Sequence, residues 1–271
     1  MNRKSQFAGS WYPDELKEAK KYIIPTPKEK KIDVIGCICP HAGWMYSGSV
    51  ASSVYSIIKP ADIYIVLGPN HTGYGENIAV YPEGYWETPF GKVEVEKKIV
   101  DLIVKNSEFA KKDTKAHLRE HSIEIQLPFL HLITEGEFKI VPITIKVEDY
   151  EMCKDLGNAI FVAIKEFIKN NKEKKVIIIA SSDMTHYEPQ SYAYKLDTLA
   201  VEEILKLSPK GLYETVLSYG ISMCGVYPTV SALIAMKLLG AKKAELIKYQ
   251  TSGDITGEYQ SVVGYAGIII W

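Results

Sequence analysis

The sequence predicts an α/β fold: a single three-layer domain, residues 1–271, built on a central sheet that is mostly parallel or mixed. Three observations lead there. Several segments are continuous runs of apolar, β-branched residues without alternation, the pattern of strands buried on both faces. The segments between them place apolar residues three and four apart, the period of a helix packed along one stripe. No repeat, low-complexity tract or linker divides the chain, and its 46% hydrophobic content is enough for one substantial core.

Taken in order, Ile32–Cys39 (IDVIGCIC) is the first predicted strand, and the apolar period from Val50 to Ile58 predicts a helix after it. Ile63–Leu67 (IYIVL) is the second strand. The Pro- and Gly-bearing stretch Tyr81–Glu94 reads as a hairpin off the main sheet, and Glu94–Val104 as a helix. Ser122–Ile133 has helical period, with Ser122 placed to cap its start. Lys139–Ile145 (KIVPITI) and Val176–Ala180 (VIIIA) are the next strands, separated by a helix over Tyr150–Ile168. A helix over Pro228–Leu239 and two last strands, Glu245–Gln250 and Val262–Ile270, complete the alternation of strand and helix expected of a layered α/β fold.

Composition removes several functional classes. The net charge is −1, and only Arg3 and Arg119 are arginines, so no basic stripe suggests a nucleic-acid partner. No run reaches the roughly 18 apolar residues of a membrane helix. The N-terminal MNRKSQFAGSWYPDE lacks the apolar centre of a signal peptide, so a cytoplasmic location is expected. Four cysteines without a C-x-x-C pair make neither a disulfide scaffold nor a zinc ribbon. Cys37, Cys39 and Cys153 read as core.

The chemistry sits where buried strands stop. The first ends in Cys39-Pro40-His41-Ala42-Gly43, the second in Gly68-Pro69-Asn70-His71, and the fourth in Ser181-Ser182-Asp183-Met184-Thr185-His186. Ligands of open α/β sheets bind beyond the carboxyl ends of the strands, so three of the chain's six histidines are expected to face one crevice. A fourth segment, Arg119-Glu120-His121-Ser122-Ile123-Glu124, adds His121 and Glu120, with Arg119 able to hold an anion. A fifth, Ser222-Met223-Cys224-Gly225-Val226-Tyr227-Pro228, places Cys224 just before a helix, where a dipole lowers a thiol's pKa; a ligand thiolate and a small buried thiol are both open readings. His117 lies in a charged stretch and reads as solvated, His131 as a packing or rim residue of its helix.

These motifs, in this order, resemble the Memo family, also called AmmeMemoRadiSam system protein B. The likeness runs from Gly9-Ser10-Trp11-Tyr12-Pro13 to Gly264-Tyr265-Ala266-Gly267. It implies a fold like that of the class III extradiol dioxygenases, whose two histidines and one glutamate hold non-haem iron. It implies that His41 and His71 are metal ligands and that Cys224 takes the glutamate's place. It further implies acid/base or substrate-orienting roles for His121 and His186, and a pocket wall containing Trp11 and Tyr46. We place Asp183 behind a histidine as an orienting group and Glu120 on the substrate. The ion expected is iron(II) or copper, with zinc also compatible with a softer thiolate set. The family name suggests radical-SAM and AMMECR-type partners. In animals the pocket is linked to phosphotyrosine peptides, a role not carried over to this chain.

Two functions compete. One is a metal-dependent oxidoreductase acting on a small substrate. The other is a carrier or binding protein holding a metal, a peptide or a small anion in the same pocket without turnover. A hydrolase built on Ser182, Asp183 and His186 is the weaker idea, because neighbours on one loop rarely form a triad and no G-x-S-x-G elbow occurs. Gly43–Gly48 has Walker-like spacing, but Ser49 stands where the lysine is needed.

Overall fold

A computed structural model describes residues 1–147 and 149–271. In chain order the elements are β1 (Asn2–Arg3), α1 (Leu16–Lys20), β2 (Gly36–Cys39), α2 (Trp44–Ile57), β3 (Ile63–Pro69), β4 (Ile78–Val80), β5 (Tyr85–Thr88), β6 (Gly91–Val95), α3 (Lys97–Asn106), β7 (Ala110–Lys112), α4 (Leu127–Ile133) and β8 (Lys139–Ile145). They continue with α5 (Tyr150–Lys169), β9 (Val176–Ser181), β10 (His186–Glu188), α6 (Gln190–Leu205), α7 (Pro209–Tyr219), α8 (Val226–Leu238), β11 (Ala244–Thr251), α9 (Gly253–Thr256) and β12 (Val262–Ile270).

The centre of the sheet is parallel, in the order β8-β3-β9-β2. Every residue of β3 is buried, which is why its sequence shows no polar alternation. β12 pairs antiparallel with β2 and β11, and the expected hairpin is β5–β6, so the sheet is mixed. Helices cover both faces. Adjacent strand residues point to opposite sides. In β12 a Cβ on Gly267 would meet Val50 and Val54 of α2, whereas one on Gly264 would meet Asp197 of α6. One hydrophobic cluster runs through the sheet and both helical faces.

Several boundaries differ from expectation for local reasons. α2 begins at Trp44, six residues before the apolar period shows itself, because its first turns already bury Trp44, Ser47 and Gly48. Gly91–Val95 is strand, so α3 starts only after Glu96, whose side chain caps it by accepting from the Lys98 N–H. Ser122 caps no helix: its hydroxyl donates to the Pro69 carbonyl at 2.9 Å, and a tight turn over Glu124–Gln126 precedes α4. α6 and α7 were not anticipated.

His117 corrects a further expectation. It is fully buried rather than solvated, with Nε2 3.1 Å from the Ala79 carbonyl oxygen and its ring edge-on to Tyr81 and Trp86. Its charged neighbour Arg3 is buried with it and donates to the His117 carbonyl at 2.6 Å. Burial first, and the Arg3 charge second, lower its pKa from 6.5 to about 3. Only the unfolded chain therefore takes up this proton as pH falls below 6.5, so the stabilisation is present above that value and is lost on acidification. Between pH 7 and 5 this one group costs about 2 kcal/mol. Urea unfolding at the two pH values should show His117→Gln losing less stability than wild type by about that amount; equal losses would discard the assignment.

Candidate functional site

Parallel register brings the strand ends together. Cys39 lies beside Ser181, and Leu67 beside Ala180, so the loops after β2, β3 and β9 emerge at one edge. Asp183, just beyond β9, accepts from the His41 N–H at 2.8 Å and the Ala42 N–H at 3.2 Å and so fixes the course of the first loop. Its carboxylate thus holds backbone rather than an imidazole, unlike the orienting role expected from sequence. Asn70 closes the second loop by accepting from the Thr72 and Gly73 N–H groups. Gly225 is required at the fifth segment, because a Cβ there would overlap Ser182 and the Ser181 carbonyl.

His41, His71 and His121 converge, with one donor atom from each lying within 4.8 Å of the other two. Hydrogen bonds determine which nitrogen each ring presents. Ser181 Oγ donates to the Ser122 carbonyl at 2.6 Å and accepts from Gln126 Nε2 at 2.8 Å. With its proton committed, it can only accept from His41 Nδ1, 2.9 Å away, so His41 carries its proton on Nδ1 and leaves Nε2 bare. His71 Nδ1 lies 2.9 Å from Glu120 Oε1, and a carboxylate can only accept, so His71 carries a proton on Nδ1 and Nε2 is the nitrogen it can offer a metal. His121 Nδ1 is 3.3 Å from the same oxygen. Burial is the main cause that lowers the pKa of both His41 and His121 to about 3, so both are neutral at pH 7.

Cys224 lies beside His41 but outside the three-histidine group and outside the lining of the cavity above it. Its Sγ lies 3.2 Å from His41 Nε2 and accepts from the Asp183 N–H at 3.3 Å. Its thiol pKa is raised rather than lowered, because burial and the Asp183 charge outweigh the hydrogen bonds from the Asp183 N–H and the Ser182 side chain. The free thiol therefore keeps its proton at neutral pH.

A cavity of about 690 Å³ opens above these donors. Trp11, Tyr46, Asp183 and His186 line it with the three histidines. Trp11 packs against His121 at 4.4 Å between ring centroids. His186 is placed by Ser222, whose hydroxyl accepts its N–H at 2.7 Å and whose carbonyl lies 2.9 Å from its Nδ1. Glu120 does not line the cavity. It is 1% exposed and lies beneath the histidines with both oxygens occupied, so its place is in supporting them rather than in meeting substrate. Arg119 is exposed and is also absent from the lining. Ser182 donates to the Asp183 carbonyl and accepts from the Gly225 N–H, so it forms no dyad with His186.

Sequence reasoning missed Ser181 and Gln126, which fix the His41 tautomer, and Tyr187, Tyr265 and Glu258 of the cavity wall. Ser181 carried a signal, as a polar residue closing a buried strand; Gln126 had none. Among the described residues no helix is long and apolar enough to cross a membrane.

Comparison with known proteins agrees with this architecture. The sequence model of the family described as Memo-like protein matches residues 3–269. A MEMO1 family protein of Methanocaldococcus jannaschii is 46% identical, covering 87% of this chain and 83% of the relative. Another from Methanococcus maripaludis is 40% identical over the full length of both chains, and one from Methanopyrus kandleri is 37% identical over 99% of each. In fold alone, the chain resembles the crystal structure of an uncharacterized protein of Escherichia coli K12, with a TM-score of 0.51 at 11% identity, covering 86% of this chain and 98% of that one.

Proposed function

The chain belongs to the Memo-like family, and from that premise we propose that it is a metal-dependent oxidoreductase with a fold akin to the class III extradiol dioxygenases, acting on a small organic substrate. The observation that carries the reading is that hydrogen bonds occupy Nδ1 of His41 and His71 and leave Nε2 as the ligating nitrogen. Two imidazoles, each with Nδ1 donating to a hydroxyl or carboxylate, leave Nε2 as the nitrogen free to ligate and so are prepared as metal ligands. His41 and His71 would hold iron or copper. When bound, such an ion supplies redox chemistry and open coordination positions. Trp11 and Tyr46 wall the substrate space. His186, with Nδ1 donating to the Ser222 carbonyl, has Nε2 as its remaining nitrogen for proton exchange with a molecule in the cavity.

The third ligand is Cys224 in this reading, with His121 taking a proton. The clustering of His121 with His41 and His71 favours a second arrangement, in which His121 ligates and Cys224 stands behind His41. Protein purified without oxygen should hold about one equivalent of iron or copper, and His41→Ala and His71→Ala should lose it. Comparison of Cys224→Ala with His121→Ala then names the third ligand by the larger loss. Protein that takes up neither metal would end this reading, and metal uptake without oxygen consumption on any tested substrate would favour the carrier.

A further inference from the structure

The cavity above the histidines has a charge pattern that bears on what enters it. Its lining contains two carboxylates, Asp183 and Glu258, and no lysine or arginine, although the chain holds 32 basic residues. An anion there would face carboxylates with no side-chain cation to pair it. Glu258 is exposed on the connection between β11 and β12, at the rim. One of its oxygens accepts from the Gln260 N–H at 2.8 Å; the other has no partner among the described residues.

The same wall presents aromatic faces. Tyr46 is 37% exposed and Tyr187 77% exposed, and both line the cavity. Tyr187 has φ of 63°, in the left-handed region that bulky residues avoid. Such strain persists only where the surroundings impose it, and it is concentrated at ligand sites. Here it holds a large ring out at the rim instead of burying it. Aromatic faces attract organic cations, and a carboxylate in the same lining adds to that attraction. Trp11 and Val263 supply apolar surface further along the lining.

We propose that this pocket selects a small organic cation, an arylalkylamine whose ammonium group sits against Glu258 and the Tyr46 and Tyr187 rings while its ring enters toward the histidines. The inference rests on the site assigned under Proposed function and names the class of its substrate. It runs against the small-anion alternative drawn from sequence.

Three probes of similar size separate the charge preference: 2-phenylethylammonium, 2-phenylethanol and 3-phenylpropanoate, titrated calorimetrically into chelator-treated protein at neutral pH. The ammonium is expected to bind about tenfold tighter than the carboxylate, with the alcohol between them. Glu258→Gln should cut that preference to about threefold or less, while taking up iron or copper as wild type does. Carboxylate binding as tight as the ammonium, no measurable ammonium binding, or a preference unchanged in Glu258→Gln would each overturn the proposal. Failure of wild type to bind metal, with the ammonium preference intact, would remove the metal centre and leave the cation pocket standing.

Discussion

Glu120→Gln should lower affinity for iron or copper by about 10- to 100-fold, the usual cost of losing a partner that orients metal-ligating histidines. The carboxylate serves two of the three clustered histidines at once. Oε2 accepts from the His71 backbone N–H at 2.6 Å; Oε1 accepts from the His121 and Ser122 N–H groups at 2.9 Å and faces His71 Nδ1 at 2.9 Å. Burial alone would raise this carboxyl, but the His71 hydrogen bond, the attraction of the His71 and His121 rings once acid has charged them and the Ser122 N–H outweigh it and hold it at about 2. Glutamine keeps the size and loses one acceptor, so its NH2 must face a donor. Each buried donor left unpaired costs about 1–3 kcal/mol, and the His71 ring also loses the partner that keeps its proton on Nδ1. Chelator competition measures the affinity, and a thermal melt measures the stability. Wild-type affinity in a destabilised Glu120→Gln would mean that the carboxylate holds the loop without tuning the ligands. Glu258→Gln, at the rim, is the control and should leave affinity unchanged.

The sequence carried the strand ends and the chemistry hung on them. Continuous runs such as IYIVL mark strands buried on both sides, and a histidine two to four residues past such a run has few places to go except the sheet's edge. What it could not carry was the use of each polar group. Glu120 and Glu258 look alike in the chain; one is enclosed by N–H groups and the other is exposed, and only the fold separates them. Cys224 before a helix suggested a lowered pKa, but the desolvation of its sulfur depends on segments more than 40 residues away in the chain, including Asp183. α7 was legible in principle: Ser208 caps it, Pro209 opens it and Gly220 closes it at φ 61°. Its apolar stripe is only Leu212 and Val216 deep, too thin to stand out beside the helices of the core. α6 hid for a related reason, since two of its six buried positions are alanine and a third is the buried Asp197.

The second large effect lies in the ion pair that anchors the N-terminal segment beside Glu120. Removing either partner of the Arg3–Glu124 pair should cost about 3–5 kcal/mol, the range for breaking a buried ion pair from one side. Both side chains are at most 1% exposed, with Arg3 NH1 2.6 Å from Glu124 Oε2. Arg3 also donates to the Glu120 carbonyl at 2.8 Å and lies 4.2 Å from the Trp86 ring centroid. Glu124 accepts in addition from the Gln6 and Phe7 N–H groups and the Tyr12 hydroxyl. The pair therefore ties the segment bearing Trp11 to the segment bearing Glu120 and His121. Arg3→Met should leave the Glu124 charge enclosed with only N–H and O–H donors; Glu124→Leu should leave a guanidinium with no carboxylate. At roughly 2–4 °C per kcal/mol for a chain of this size, each should melt about 10 °C lower. The Arg3→Met/Glu124→Leu double variant should recover part of that loss, because it leaves no buried charge unpaired. Its recovery should be incomplete, since the Gln6 and Phe7 N–H groups and the Tyr12 hydroxyl still lose their acceptor. The single Glu124→Leu change should also free Trp11 from His121, which tryptophan fluorescence quenching by iodide would register. A double variant as unstable as the sum of the two singles would show that the charges are not coupled and that packing around Trp86 dominates.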